Sequence, residues 1–128
     1  MRQMLDTHLL LSAVGRSRDL SGSAKSLIDD PENTVVFSAV SIWEVAIKYS
    51  LKRPDFRTDP RMLRHTLLAH RYSELAMTGE HAMAVSDLPL LHKDPFDRLL
   101  IAQCMIEGIT LLTADQTIAR YPGPIQRV

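Results

Sequence analysis

The sequence predicts an α/β domain of three layers (an α/β/α sandwich), in which helices cover both faces of a central, mostly parallel sheet. Short apolar runs rich in β-branched residues alternate along the chain with helical patterns, and this alternation is typical of parallel α/β sheets. The chain has 128 residues, of which 45% are hydrophobic, enough for a sizeable core. We therefore expect a single domain spanning residues 1–128.

Five segments have the character of strands. Residues 1–5, 34–37 and 109–112 are short apolar runs that suit buried strands. Residues 73–78 are a weaker candidate, and residues 125–128 suit an edge strand. In a parallel sheet ligands bind beyond the carboxyl ends of the strands, so polar residues at these ends are the first candidates for a site.

Helix-start signals separate the strands. Ser21 is expected to cap a helix that runs to about residue 30, and Ser41 one that begins at residue 42. Asp94 followed by Pro95 is a strong start signal for a helix that Gly108 ends. Further helices are expected after Asp6, over residues 61–71 and 80–86, and after Asp115.

Charge, cysteine content and the length of apolar runs limit the classes of protein to which the chain can belong. Lys+Arg and Asp+Glu both number 15, so global charge gives no reason to expect nucleic-acid binding. The single cysteine, Cys104, excludes an internal disulfide and suits a buried position. No apolar run approaches the roughly 20 residues of a membrane span, and Asp6 breaks the short apolar start, which argues against a signal peptide. We expect a soluble, cytoplasmic protein without a membrane partner.

Four acids interrupt otherwise apolar segments. They are Asp6, Glu44, Asp97 and Asp115, and because each lies next to core residues we expect each to be half-buried. Clustered carboxylates in a low dielectric repel one another, and a divalent cation removes that penalty. Mg²⁺ and Mn²⁺ prefer hard oxygen ligands, and such ions can activate water and hold a phosphate. The four acids are therefore candidate ligands of Mg²⁺ or Mn²⁺ and candidate catalytic residues.

Each acid also has a structural interpretation. Asp6 and Asp115 are placed to cap helices. Glu44 suits a solvated helix position paired with Lys48 at i+4, and Asp97 lies in the first turn of its helix, where an acid complements the dipole. For each acid taken singly, a functional role is no better supported than its structural role. Their joint position at one edge of the predicted sheet is what favours a metal site.

Asp94 is a separate case. With Pro95 at the first helical position, Asp94 is better placed to cap than to bind metal. It lies three residues before Asp97, so a contribution to the site through a water stays open.

Other side chains near the predicted site have weaker signals. His8 and His92 suit structural or solvent-facing roles, and Trp43 suits the core or a dimer face. Lys48, one turn after Glu44, and Arg98, next to Asp97, are candidate RNA contacts, because phosphate contacts dominate RNA affinity. Lys52, Arg53 and Lys93 are further basic residues that could hold phosphates.

Four segments resemble the PIN domain, close to the VapC-type toxins of bacterial type II toxin–antitoxin pairs. They follow in the family's order and spacing: MLDTHLLLSA, SAVSIWEVAIKYSLK, HKDPFDRLLIAQC and LLTADQTIARY. The resemblance covers nearly the whole chain and implies a PIN-like sandwich. It places the family's four acids on Asp6, Glu44, Asp97 and Asp115.

The resemblance further implies an endoribonuclease that depends on Mg²⁺ or Mn²⁺ and hydrolyses RNA phosphodiesters. Such proteins are often homodimers, and a cognate antitoxin inhibits them by inserting a segment into the active-site groove. Thr7, Ser38 and Thr113 fall where the family often has hydroxyls behind the metal ligands. The stretch YSLKRPDF (residues 49–56) departs from the family branch, because it lacks the expected glycine-containing turn.

Two alternatives remain open at this point. One is a PIN nuclease that processes RNA without being a toxin, and the other is a catalytically weak PIN-like binding module. A degenerate module would be expected to have lost an acid, whereas all four are present.

Overall fold

A computed structural model describes residues 1–15 and 17–128. Five strands, seven α-helices and two 3₁₀ turns (Ser17–Asp19 and Val85–Asp87) follow one another along the chain. The strands are β1 Arg2–Leu5, β2 Thr34–Ser38, β3 Ser73–Leu75, β4 Thr110–Thr113 and β5 Ile125–Arg127. The helices are α1 Thr7–Val14, α2 Gly22–Asp29, α3 Ala39–Ser50, α4 Pro60–Ala69, α5 Gly79–Ala84, α6 Pro95–Glu107 and α7 Gln116–Ala119.

The strands form one sheet in the order β3-β2-β1-β4-β5, and each neighbouring pair is parallel. In its centre Met4 lies opposite Val36 of β2 and Leu111 of β4. Helical connections between these strands confirm the predicted sandwich. The weak candidate at residues 73–78 is a strand only over Ser73–Leu75, and the edge strand lies where the sequence predicts it.

Both faces of the sheet are buried, which makes the fold three-layered. Met4 and Leu5 follow each other in β1, and both side chains have no exposed surface. Because successive strand residues point to opposite faces, Met4 packs in one core with Leu100 of α6, and Leu5 packs in the other with Leu10 of α1.

The start of α3 corrects one prediction. Ser38, not Ser41, caps this helix: its Oγ accepts a hydrogen bond from the backbone N–H of Val40 at 3.0 Å. Ser41 is instead buried inside the helix, and its Oγ lies 2.9 Å from Oγ1 of Thr7. The strand therefore passes into the helix with no intervening loop, which places Glu44 less than two turns from the end of β2.

The other predicted helix signals are confirmed. Ser21 accepts from the N–H of Ala24 at 3.1 Å, and Gly108 ends α6 with a left-handed φ of 67°.

Cys104 is fully buried in this helix, and burial raises the pKa of its thiol to about 12. Within the described residues, no helix combines the length and apolar character needed to cross a membrane.

Candidate metal centre

Two of the four acids meet at the carboxyl ends of the neighbouring central strands β1 and β4. The backbone N–H of Asp6 donates to the carbonyl of Leu112 at 3.1 Å, which continues the strand pairing. Oγ1 of Thr113 donates to Oδ2 of Asp6 at 2.6 Å and accepts from the N–H of Asp115 at 3.0 Å. Thr113 therefore connects the two acids, as expected of a hydroxyl behind the metal ligands.

Asp6 and Asp115 also cap the helices that follow them. Oδ1 of Asp6 accepts from the N–H of Leu9 at 2.9 Å. Oδ1 of Asp115 accepts from the N–H groups of Thr117 at 2.7 Å and Ile118 at 3.1 Å. The capping interpretation is thus confirmed, and it is compatible with a metal site because the caps use only Oδ1, while Oδ2 of Asp6 keeps a lone pair beside the one that accepts from Thr113.

At the start of α6, Asp94 is the cap that the sequence predicts. Its Oδ1 accepts from the N–H groups of Phe96 at 2.8 Å and Asp97 at 3.2 Å. Oδ2 of Asp97 lies 2.9 Å from Nε2 of His92. Ligand-type atoms of His92, Asp94 and Asp97 all lie within 4.8 Å of one another, so Asp94 stands close enough to act on the site.

Glu44 is buried, which argues against its structural interpretation as a solvated helix charge. Its exposed fraction is 5%. Its pairing with Lys48 is confirmed, with Nζ of Lys48 2.9 Å from Oε2. The other oxygen, Oε1, is buried and has no hydrogen-bond partner among the described residues. A buried carboxylate oxygen without a donor is costly, and a cation would satisfy it.

A cleft of about 300 Å³ opens over the strand ends. Asp6, Asp97 and Asp115 line it together with His8 and Asp19. Asp19 belongs to the 3₁₀ turn Ser17–Asp19. No sequence signal marks this acid, because it lies in a short polar turn and does not interrupt an apolar segment as the other acids do.

The pKa values of Asp97 and Asp6 are raised by burial and by the negative charges of neighbouring acids. Burial raises the pKa of Asp97 to about 6; the contact with His92 lowers it, and the negative charges of Asp94, Glu44 and Asp6 raise it further. Burial also raises the pKa of Asp6, against the lowering effect of its hydrogen bonds from Leu9 and Thr113, and Asp115 adds to the increase. A divalent cation bound among these carboxylates would relieve this mutual repulsion.

These observations match the needs of a hard divalent cation. Buried carboxylates that raise one another's pKa, and a buried oxygen of Glu44 that lacks a donor, would all gain from one or more positive ions. Carboxylate oxygens of Asp6, Glu44, Asp97 and Asp115 could hold such an ion directly or through water. His92 is already engaged with Asp97, so it serves to orient that carboxylate.

Two predicted hydroxyls lie behind the site and contact other side chains. Oγ1 of Thr7 contacts Oγ of Ser41. Ser38 donates to Oε1 of Gln103 at 2.5 Å, and the amide of Gln103 lies 3.3 Å from Nδ1 of His81. This buried network ties β2 to α6. Sequence reasoning missed Gln103, since nothing in the run LLIAQC distinguishes a glutamine that bridges two elements.

Arg98 is placed differently from its prediction, and of the two positions predicted for Trp43 the structure excludes the core and leaves the dimer face. The guanidinium of Arg98 donates to the carbonyls of Val85 and Leu88, both at 3.3 Å, so it holds a loop and does not line the acidic cleft. Trp43 is 53% exposed and therefore not a core residue, although its ring packs edge-on against Phe96 with a centroid distance of 4.9 Å.

Solved structures of VapBC complexes share this fold. VapBC2 from Rickettsia felis, bound to a DNA fragment from its promoter, aligns with a TM-score of 0.73 and 16% identity over 100% of this chain and 99% of that chain. DNA-bound VapBC from Salmonella typhimurium aligns with a TM-score of 0.69 and 14% identity, over 99% of this chain and 98% of that chain. VapBC-1 from nontypeable Haemophilus influenzae aligns with a TM-score of 0.64 and 18% identity, also over 99% of this chain and 98% of that chain.

Sequence comparison is more specific about the family. A search of curated protein sequences found no significant match to this chain. The PIN domain family, in contrast, matches residues 4–124, almost the whole chain and all four acids. The chain therefore belongs to the PIN domain family.

Proposed function

We propose that this PIN domain is a metal-dependent endoribonuclease, in which Asp6, Glu44, Asp97 and Asp115 hold Mg²⁺ or Mn²⁺. The observation that carries the proposal is the meeting of Asp6, Asp97 and Asp115 in one cleft, where burial and neighbouring acids raise the pKa of Asp97 to about 6. Clustered, partly buried carboxylates destabilise the folded protein when no cation is bound. A function that requires a bound cation explains why they are there. The nuclease activity of PIN domains in general supports the same reading.

The chain's own residues have distinct tasks in RNA cleavage. The bound ion would supply Lewis acidity and a more acidic water at neutral pH. Thr113 fixes Oδ2 of Asp6 through its hydroxyl, and His92 fixes Oδ2 of Asp97. Lys48 lies beside Glu44 with its side chain 46% exposed, where it can also approach a phosphate.

Cleavage of RNA with and without metal tests this proposal. Asp6→Asn and Asp97→Asn should each lower the cleavage rate by at least about 100-fold, because substitution of residues behind metal ligands already costs 10–100-fold. Glu80→Gln, an exposed acid on α5, should cleave at the wild-type rate. An Asp97→Asn protein that cleaves as fast as wild type, free of contaminating nuclease, would contradict the mechanism.

We further propose that the protein is the toxin of a type II toxin–antitoxin pair and acts in the cytoplasm. The similar folds of VapBC complexes support this proposal. Expression in a bacterial host should arrest growth, and co-expression of the neighbouring gene's product should restore it. Cleavage activity without growth arrest would instead favour an RNA-processing nuclease. Mapping the RNA ends generated during arrest would identify the target.

A homodimer is part of the same proposal. Trp43 and Ile47 of α3 and Leu51, which directly follows the helix with helical backbone angles, lie four residues apart and have exposed fractions of 53%, 38% and 53%. Residues with this spacing share one face of a helix, so the three form an apolar stripe of a kind that marks protein contacts. Light scattering should give twice the monomer mass, and Ile47→Glu should reduce it to the monomer mass.

A further inference from the structure

A second cleft lies beyond the acids, where α3 ends and the loop before α4 begins. Its volume is about 540 Å³, larger than that of the acidic cleft. Tyr49 and Phe56 contribute aromatic rings to its wall, and Lys52, Arg53 and Arg57 contribute positive charge. None of the four acids lines it.

The segment that forms this cleft is strongly basic within a neutral chain. Residues 48–57 contain four cations and one acid, Asp55. Within residues 1–15 and 17–128, Lys52, Arg53 and Arg57 make no salt bridge with a carboxylate. Arg57 is held in place by a hydrogen bond from its Nε to the carbonyl of Pro54 at 3.3 Å. The positive charge is therefore available to an anionic ligand.

Lys48 connects the basic cleft to the acids. A smaller cleft of about 210 Å³ adjoins it and is lined by Lys48, Arg53 and Phe56 together with Leu51 and one acid, Asp55. Nζ of Lys48 lies 5.9 Å from the centre of the Phe56 ring and 2.9 Å from Oε2 of Glu44. A chain of cations and one ring thus leads from the basic cleft to a carboxylate of the candidate metal centre.

We propose that this basic cleft binds single-stranded RNA beside the cleavage site. Phosphates would contact Lys52, Arg53 and Arg57, and a base would stack on Tyr49. The combination of backbone-tracking cations with aromatic rings is the usual means of holding a single strand. An acidic peptide would use the cations but would leave the rings unexplained, so RNA accounts for more of the cleft. This proposal rests on the proposed nuclease function.

RNA binding measured without cleavage tests the cleft directly. A fluorescent single-stranded RNA oligonucleotide is titrated with metal-free protein in EDTA, and its anisotropy is followed between 50 and about 300 mM salt. In the triple variant Lys52→Gln, Arg53→Gln, Arg57→Gln, the slope of log affinity against log salt should fall by about 2, because each phosphate contact on a single strand contributes about 0.7. Affinity near 0.1 M salt should fall by about ten-fold or more.

Two further variants separate the aromatic contribution from general charge. Tyr49→Leu should weaken RNA binding by about five-fold or more with little change in the salt slope, because stacking depends weakly on salt. Lys25→Gln removes an exposed cation on α2 and should leave affinity and slope unchanged. If the triple variant does not fold, Arg53→Gln alone should reduce the slope by about 0.7.

Failure of this inference can be told apart from failure of the nuclease proposal. Wild-type protein that cleaves RNA, with a triple variant of unchanged RNA affinity, overturns the cleft and leaves the nuclease. Unchanged RNA affinity together with lost binding of an oligoglutamate peptide assigns the cleft to a protein partner and also overturns the inference. Absence of RNA cleavage with wild-type protein, alongside RNA binding that the triple variant loses, supports the cleft and contradicts the nuclease.

Discussion

Replacement of Asp97 by asparagine should make the metal-free protein more stable while removing its activity. Burial and neighbouring acids raise the pKa of this carboxyl from 3.8 to about 6. Its side chain is 17% exposed, so solvent screens only part of this penalty. Asparagine is nearly the same size, carries no charge, and can accept a hydrogen bond from Nε2 of His92 through its side-chain oxygen.

The size of the gain follows from proton linkage. A carboxyl whose pKa is higher in the folded state binds more protons there, so its contribution is favourable below pH 4 and is lost as pH rises through about 6. A change of this size corresponds to at most about 3 kcal/mol at pH 7.5. We expect Asp97→Asn to gain about 1–3 kcal/mol, which raises Tm by roughly 3 °C or more.

Thermal unfolding in EDTA at several pH values measures this effect. The difference in stability between Asp97→Asn and wild type should be largest at pH 7.5 and should decrease as the pH is lowered to 4. Glu80→Gln, an exposed acid outside the cleft, should show no such difference. Adding Mg²⁺ should stabilise wild type more than Asp97→Asn, because binding to the folded state adds to stability. A metal-free Asp97→Asn protein less stable than wild type at pH 7.5 would refute the reasoning.

Three further substitutions or treatments have defined outcomes. Thr113→Val removes the hydroxyl that joins Asp6 to the N–H of Asp115; Mg²⁺ affinity measured by calorimetry should fall at least about ten-fold, and an unchanged affinity would mean that the hydroxyl does not orient the site. Lys52 has a left-handed φ of 55°, so Lys52→Gly should raise the free energy of unfolding in urea by about 0.5–1 kcal/mol; a loss of stability would contradict a strained backbone. The buried thiol of Cys104, with its pKa raised to about 12, should react with a thiol reagent only as fast as the protein unfolds, and rapid reaction of the folded protein would show that the core opens locally.

The sheet and most helix starts could be predicted because their signals are local. A β-branched run such as residues 34–37 or an Asp94–Pro95 step carries its own structural preference. The apolar neighbours of Glu44 predict a half-buried side chain, but its nearly complete burial could not be predicted in this way. Its pairing with Lys48 suggests a surface position, and only the packing of α3 against α6 shows that the acid is covered while the lysine reaches solvent.

Arg98 shows why adjacency in sequence misleads. Successive helical residues are separated by about 100° around the axis, so the neighbour of Asp97 points away from the cleft towards the carbonyls of Val85 and Leu88. Asp19 and Gln103 were missed for another reason: Asp19 lies in a polar turn with no motif of its own, and Gln103 acts through contacts with residues far away in the chain. The apolar segments and the family resemblance both indicate the four acids, but neither carries information on such supporting contacts.

The shared use of one aspartate for two tasks constrains how this protein can change over generations. Asp6, Asp94 and Asp115 each hold the first turn of a helix through one oxygen. A lineage that abandons the chemistry still needs those turns, and alanine there costs about 1 kcal/mol apiece. Retired descendants should therefore carry asparagine or serine at these three positions, and the residues left behind would distinguish a lost activity from a lost fold.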